Sequence, residues 1–359
     1  MKKQDSSDKV KKISLLKRIK HKIYFWFRLI DRPVVKVYNG YGNMNSILVM
    51  GHVLKLSPMP RKTYRKNWAT NFFSVIRLFI TAPIPNAIVV MKWGDIVITT
   101  HSEKDGFFKF EIKSETTAVA GWHTVTVVLN SENLSQNGVS GSGQVFIPYT
   151  SHHAFISDID DTFLISHSSR IRRRLYVLFT KNERTRKHFD GVINHYNALA
   201  AGQAQNQDDA FFYVSSSEWN LYDYIAEFVR FNHLPKGIFL LGQMKQLKDF
   251  WKSGQNNHAT KFMRIVRIIE QYPDLKFVLL GDDSQQDPFI YNSIVSHFPH
   301  RIIAVYIRKV HSPNFKKVSE EISAIKNMGV KCCYFEHSIE AMAHSKKIGL
   351  IENSNIRLT

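Results

Sequence analysis

Cysteine is nearly missing from this chain: Cys332 and Cys333 are the only two in 359 residues. Adjacent, and set in the stretch NMGVKCCYF, they exclude a disulfide framework and offer no metal-ligand spacing. They read as small buried strand residues of a protein from a reducing compartment. A clean transmembrane run is also lacking. The nearest candidate, Phe72–Val90, contains Arg77, Pro83, Pro85 and Asn86. It divides better into a core helix around Asn71–Phe79, a turn and a strand. The N-terminus shows neither the apolar block nor the small-residue cleavage site of a cleavable signal. Internal repeats and low-complexity tracts are absent as well. These absences predict a cytoplasmic protein, soluble or peripheral at a membrane.

Acidic residues are the other shortage. Against 49 Lys and Arg stand 30 Asp and Glu, a formal net charge of +19, which predicts anionic partners. Nucleic acid is disfavoured among them, because basic residues are not interleaved with aromatics on a sheet pattern and no nucleic-acid motif is recognisable. The excess is concentrated at one end: residues 1–32 hold eleven Lys or Arg against three Asp, a local excess of +8. From Ile13, the residues Leu16, Ile19, Ile23, Trp26, Phe27 and Ile30 recur at helical spacing, so a basic amphipathic helix is predicted that ends before Pro33. It could lie in an anionic membrane interface with its lysines at lipid phosphates. It could equally pack on the body of the protein with a solvated basic face.

What the chain does have is enough apolar sequence for two further domains. Over residues 33–150, the runs SILVMGHVL, AIVVMKW, DIVITTHS, GFFKFEI, HTVTVVLN and GQVFIPY are separated by Gly, Pro, Ser and Asn. That rhythm predicts a small antiparallel, β-sandwich-like domain. Residues 151–359 change to strands alternating with helices. Ala154–Ser157, Phe211–Val214, Ile238–Leu241, Phe277–Leu280 and Ile302–Ile307 are short unbroken apolar runs of the kind a parallel sheet buries on both faces. Helices are predicted between them where Tyr222, Ile225, Ala226 and Val229, and again Phe262, Ile265, Val266 and Ile269, share one face. After Arg308 a last helix–strand–helix unit is expected. The fold class is therefore α/β, a doubly wound parallel-sheet domain whose site lies beyond the carboxyl ends of its strands.

Polar residues collect at those ends. HHAFISDIDDTFLIS puts Asp158, Asp160 and Asp161 where the first strand stops. Asp158 and Asp160, two apart in an extended segment, can turn their carboxylates the same way and then need a cation between them. KFVLLGDDSQQDP ends another strand with Asp282, Asp283 and, further on, Asp287. In a parallel sheet both ends share one edge, so Asp282 or Asp283 can complete an oxygen-only shell best suited to Mg²⁺. Ser215, at a third strand tip, with Ser216 and Ser217 leading into a helix, could hold a phosphate oxygen or simply cap the helix, Ser217 being the natural cap. Lys261, expected in the first turn of a helix where a cation is disfavoured by the dipole, is better tolerated there facing carboxylates and phosphate, though a solvated surface lysine is the commoner outcome for any single Lys. Acid pair, hydroxyl, lysine and acid cluster together make phosphoryl transfer: a carboxylate attacks phosphorus, a lysine and Mg²⁺ offset the charge, and a second carboxylate serves as acid, then base.

These residues resemble the haloacid-dehalogenase-type phosphohydrolases, whose first motif, Asp-x-Asp-x-Thr, is matched by Asp158, Asp160 and Thr162. They are more closely similar to the phosphatidate phosphatases of the actin-patch-protein type. AFISDIDDTFLIS, FFYVSSSEWNLYDYIAEFV, LPKGIFLLG, HATKFMRIVRIIEQYPDLKFVLLGDDSQQDPFIY and RIIAVYIRKV carry that resemblance, and YNGYGN and GHVL extend it into the preceding β region. The resemblance implies a haloacid-dehalogenase-like domain after a β-sandwich-like one, and Mg²⁺-dependent hydrolysis of phosphatidate to diacylglycerol and phosphate through an aspartyl-phosphate. It implies Asp158 as nucleophile, Asp160 as acid and base, Lys261 as the charge-stabilising lysine, Ser215 as phosphate-binding hydroxyl, Asp282 as metal ligand and Asp287 as support behind the site. One departure is Glu218, where that family often has a proline after the serines.

The segment after the first motif, SHSSRIRRRLYVLFTKNERTRKHFDG, sets Arg170 and Arg172–Arg174 beside apolar residues. It suits either a cap gripping a lipid phosphate or an ordinary solvated helix face. Two other functions stay open: a phosphatase of the same mechanism acting on a soluble phosphate monoester, and a non-catalytic membrane-binding module. The sequence sets no oligomeric state.

Overall fold

The structure, a computed structural model, describes residues 29–58, 78–113, 119–130, 138–149, 153–158, 183–201, 209–244, 257–283, 286–310 and 315–351. The first nine strands are β1 (Leu29–Val37), β2 (Gly40–Gly42), β3 (Ser46–Pro58), β4 (Ala82–Pro83), β5 (Ile88–Trp93), β6 (Ile96–His101), β7 (Phe107–Lys113), β8 (Gly121–Asn130) and β9 (Ser140–Ile147). They form one mostly antiparallel sheet in the order β1-β3-β2-β9-β8-β5-β6, with β4 and β7 also on β3. The pleat explains the alternation in the sequence. In β7, buried Phe108, Phe110 and Ile112 alternate with exposed Lys109, Glu111 and Lys113. Val125, Val127 and Leu129 of β8 do the same and meet them, with Val49, Val53, Val89 and Met91, in one apolar cluster.

The remaining strands are β10 (His153–Asp158), β11 (Ala210–Glu218), β12 (Ile238–Gly242), β13 (Lys276–Asp282), β14 (Ile302–Arg308) and β15 (Lys331–Phe335). All pair in parallel, in the order β12-β11-β10-β13-β14-β15. Six helices accompany them: α1 (Glu183–Ala201), α2 (Tyr222–Phe231), α3 (Asn257–Gln271), α4 (Asp287–His297), α5 (Phe315–Asn327) and α6 (Ser338–Lys347). The mixed α/β class and the five expected parallel strands are found, each within a few residues, and β15 with its two helices is the expected final unit. Strand order runs outward from β10 to β12 on one side and from β13 to β15 on the other, so it reverses between β10 and β13.

Several expectations are corrected. Leu29 and Ile30, placed in the N-terminal helix, instead belong to β1, where they pair with Pro58 and Ser57 of β3. A partner strand outweighs a local helical period, and Pro33 is accommodated at the register shift between Asp31 and Val34 on this edge strand. The rest of that helix, residues 1–28, lies outside the described residues, as does the helix expected over Asn71–Phe79 apart from buried Leu78 and Phe79. Cys332 and Cys333 are strand residues but only half-buried. Ser215–Ser217 do not cap a helix. They continue β11 through a break in its pairing between Val214 and Glu218, and a 3-10 turn, Trp219–Leu221, separates them from α2.

That turn is where the two sheets meet. The ring of Tyr38, next after β1, stacks on Trp219 with centroids 4.2 Å apart, and its hydroxyl meets His52 Nδ1 at 2.9 Å. Lys36 pairs with Asp223 at 2.6 Å, and the Asn39 N–H donates to the Tyr222 hydroxyl at 2.9 Å. Tyr41 packs edge-on against Phe212 of β11. The antiparallel sheet thus braces the segment that leads out of the serine motif.

His52 is fully buried in this junction, and desolvation, aided by Lys36, pushes its pKa down to about 3. Burial does the same to His195 of α1. An unfolded histidine titrates near ~6.5, so between that pH and about 3 the unfolded chain takes up protons that the folded chain refuses. Stability should fall as pH drops through this window, by on the order of 1 kcal/mol per pH unit for each histidine. Urea midpoints at neutral and mildly acidic pH should record that fall, and His52→Gln should flatten it.

Candidate active site

Because the second sheet is parallel, the ends of β10, β11, β13 and β14 share one edge, which brings together residues far apart in sequence. Asp158 closes β10, Ser215 lies near the end of β11, Asp282 closes β13 and Arg308 closes β14; all four are buried. α3 begins at Asn257, so Lys261 sits one turn further into the helix than expected. Its ammonium, 2% exposed, lies between two carboxylates: 2.8 Å from Asp158 Oδ1, and in hydrogen-bond contact with Asp287 Oδ1. A cation this deep is tenable because both neighbours are anions.

Asp287 is delivered by the first turn of α4, where the helix dipole favours an acid and Pro288 starts the helix without needing a donor. Its Oδ2 is approached by the Asp282 N–H at 3.4 Å. Gly281 makes this approach possible, since a Cβ there would come within 2.5 Å of Asp287 Oδ2 and 2.9 Å of the Tyr291 ring. Tyr291 donates to the Leu280 carbonyl at 2.8 Å, and burial, reinforced by Asp287 and Asp158, raises its pKa well above the ordinary phenol value. It remains a donor.

Asp282 and Asp283, left as alternatives by the sequence, have different surroundings. Asp283 Oδ1 accepts from the Val310 N–H at 2.6 Å and its Oδ2 from the Tyr334 hydroxyl at 2.7 Å, which ties it to the β14–β15 side. Asp282 is in register with Arg308 and stands by the carboxyl end of β10. Ser215 Oγ accepts from the Ser217 N–H at 2.8 Å, and Arg264 of α3 donates to the Ser215 carbonyl at 3.1 Å. Ser216 follows at the same tip, with its carbonyl 3.0 Å from where a Cβ on Gly242 would sit. Asp160, Asp161, Thr162 and Arg170 lie outside the described residues. Among the described residues no three His, Cys, Asp or Glu side chains form a metal-holding group.

Sequence reasoning missed three participants. Tyr196 of α1 meets Ser157 Oγ at 3.1 Å directly beside Asp158. Gly281, within KFVLLGDDSQQDP, carries no polar group to mark it. Arg308 was passed over although a cation ending the apolar run AVYI is the same signal that marked Asp158. Gly281→Ala should displace Asp287 from Lys261 and cost roughly 1–3 kcal/mol of stability through overpacking, which chemical denaturation would measure.

Residues 153–309 match the family described as "Phosphatidate phosphatase APP1, catalytic domain". Phosphatidate phosphatase APP1 of Saccharomyces cerevisiae is 31% identical over 155 residues, 43% of this chain and 25% of that protein. An uncharacterized protein of Schizosaccharomyces pombe is 27% identical over 164 residues, 44% of this chain and 25% of that one. The matched segment thus spans a quarter of each relative's length. Among solved structures, a carbohydrate acetylesterase from Xanthomonas citri aligns with a TM-score of 0.32 at 9% identity, covering 88% of this chain and 75% of that one, too distant to bear on fold or function. The segment from β10 to the end of β14, which holds Asp158, Ser215, Lys261, Asp282 and Asp287, is thus the part of the chain that is similar to the APP1 catalytic domain.

Proposed function

We propose that this chain is a phosphatidate phosphatase that hydrolyses phosphatidate to diacylglycerol and phosphate through an aspartyl-phosphate. The observation that carries the reading is Lys261 held between Asp158 and Asp287 at the carboxyl edge of the parallel sheet, inside the segment that matches the APP1 catalytic domain. In this reading the domain is haloacid-dehalogenase-like and doubly wound, preceded by a β-sandwich-like domain.

Asp158 attacks phosphorus while the bond to the glycerol oxygen breaks, and Asp160 protonates that leaving oxygen. Asp160 then takes a proton from water, which attacks the acyl phosphate, releases phosphate and restores Asp158. Lys261 orients the Asp158 carboxylate, and Asp287 fixes the lysine. Ser215, Ser216 and Thr162 hold phosphoryl oxygens. The oxygen-only donor set Asp158, Asp160 and Asp282 fits Mg²⁺, with Asp283 held back by its bonds to Val310 and Tyr334. Bound there, Mg²⁺ would neutralise charge on the transferring phosphoryl group.

Asp158→Asn should reduce phosphate release to background with the fold intact, since an amide keeps the shape but cannot attack phosphorus. Asp160→Asn should lose about 10²–10⁴-fold, whereas Asp161→Asn should be mild. Running the assay on phosphatidate in mixed micelles and on soluble monoesters, with Mg²⁺ present and then chelated, separates the lipid substrate from a soluble one; turnover by Asp158→Asn would remove the nucleophile.

We also place the enzyme at anionic membrane surfaces through residues 1–28. Among the described residues no helix is long and apolar enough to cross a membrane. Each lysine or arginine near such a surface contributes about 1 kcal/mol, screened by salt. Deleting residues 1–28 should therefore weaken sedimentation with anionic vesicles most at low salt, and leave soluble-substrate turnover unchanged. Equal sedimentation with and without the segment would count against it.

A further inference from the structure

Arg308 ends β14 at the catalytic edge, in register with Asp282, and is 6% exposed. It lines a pocket with Tyr196, Leu280, Tyr306, Phe335 and Ser338. Among the described residues its guanidinium makes no hydrogen bond or ion pair. Two hydroxyls of the walls are already engaged: that of Tyr196 with Ser157, and that of Tyr306 with Ser345 and His344. Asp282 attracts the guanidinium from beyond pairing distance. A buried cation with no counter-ion among the described residues destabilises the chain that carries it, and that cost is offset when an anion comes against the guanidinium.

The charges along the edge say which anion. Lys261 carries one positive charge and faces two carboxylates, Asp158 and Asp287, so it has little left for an incoming dianion. Asp282 adds another negative group. A phosphate arriving here needs positive charge from another direction, and Arg308 stands one strand beyond Asp282. A guanidinium fork matches two oxygens of one phosphate, which a lysine cannot do.

We propose that Arg308 binds the phosphate oxyanion, gripping the phosphoryl group from the β14 side while Asp158 and Lys261 meet it from the β10 side. The identity of the substrate rests on the phosphatase reading; the oxyanion chemistry, shared by a lipid headgroup and free phosphate, does not.

The test uses the full chain, its Arg308→Met and Arg308→Lys variants, and inorganic phosphate as the probe. At constant ionic strength, millimolar phosphate should raise the melting temperature of the unmodified protein. Arg308→Met should lose that rise, and Arg308→Lys should keep only part of it. Without phosphate, Arg308→Met should melt at or above the unmodified protein, because the buried unpaired charge is gone. In mixed micelles the phosphatidate KM of Arg308→Lys should increase about tenfold or more, with the inhibition constant for phosphate rising in parallel. A full phosphate-induced rise in either variant, or none in the unmodified protein, overturns the proposal, and Arg308→Lys decides if Arg308→Met does not fold. A phosphate rise that depends on Arg308 without phosphatidate turnover leaves the oxyanion site standing and removes the lipid reading. Turnover with an undiminished rise in the variants does the reverse.

Discussion

One buried ammonium between two carboxylates organises this edge of the molecule. Lys261 reaches Asp158 from α3 and Asp287 from the same position, so three elements that are separate in sequence, β10, α3 and α4, are tied by a single charge. Desolvating such a group is expensive, and removing one partner of a buried ion set typically costs about 3–5 kcal/mol because the others are left uncompensated. The arrangement is therefore poor at adding stability and good at specifying geometry. It gives Asp158 a defined orientation, which is what the proposed role as nucleophile would require.

The neighbouring backbone is shaped around that contact. Gly281 has no side chain because Asp287 and Tyr291 occupy the space. Asp283 is committed to Val310 and Tyr334, locking the end of β13 to β14 and β15. On the other flank, Tyr38, His52 and Trp219 carry the antiparallel sheet up to the turn that follows the serines. The first sheet contributes no described acid or hydroxyl to the site, yet it fixes the exit of β11. Its role is mechanical, and a packed aromatic stack suits that role because it is stiff.

Regular elements were legible in the sequence because each signal was local. Unbroken apolar runs marked the parallel strands, and alternation marked β7 and β8. Asp158, Lys261 and Asp287 stood out because charged groups placed against apolar runs or helix dipoles need an explanation. What stayed hidden depended on partners. Ile30 fits a helical stripe until Ser57 is beside it. The serines look like a helix cap until β11 is seen to continue through them. Nothing local distinguishes Asp282 from Asp283; the difference lies in Tyr334, some fifty residues away in sequence.

The same dependence on distant partners governs how the edge can hold its substrate. Its described carboxylates outnumber its described cations, so a phosphate group is repelled unless positive charge is added from outside the Lys261 triad. In the proposed mechanism a hard divalent ion at Asp158 and Asp282 would supply part of it. Arg308, brought alongside only by the order of the strands, can supply the rest beside the Tyr196 and Tyr306 hydroxyls, which are already engaged. The chain's overall excess of positive charge steers anions toward the molecule, but at the edge itself the balance is set by two buried cations in different settings: Lys261 is paired with Asp158 and Asp287, and Arg308, in the proposed reading, is left for the ligand.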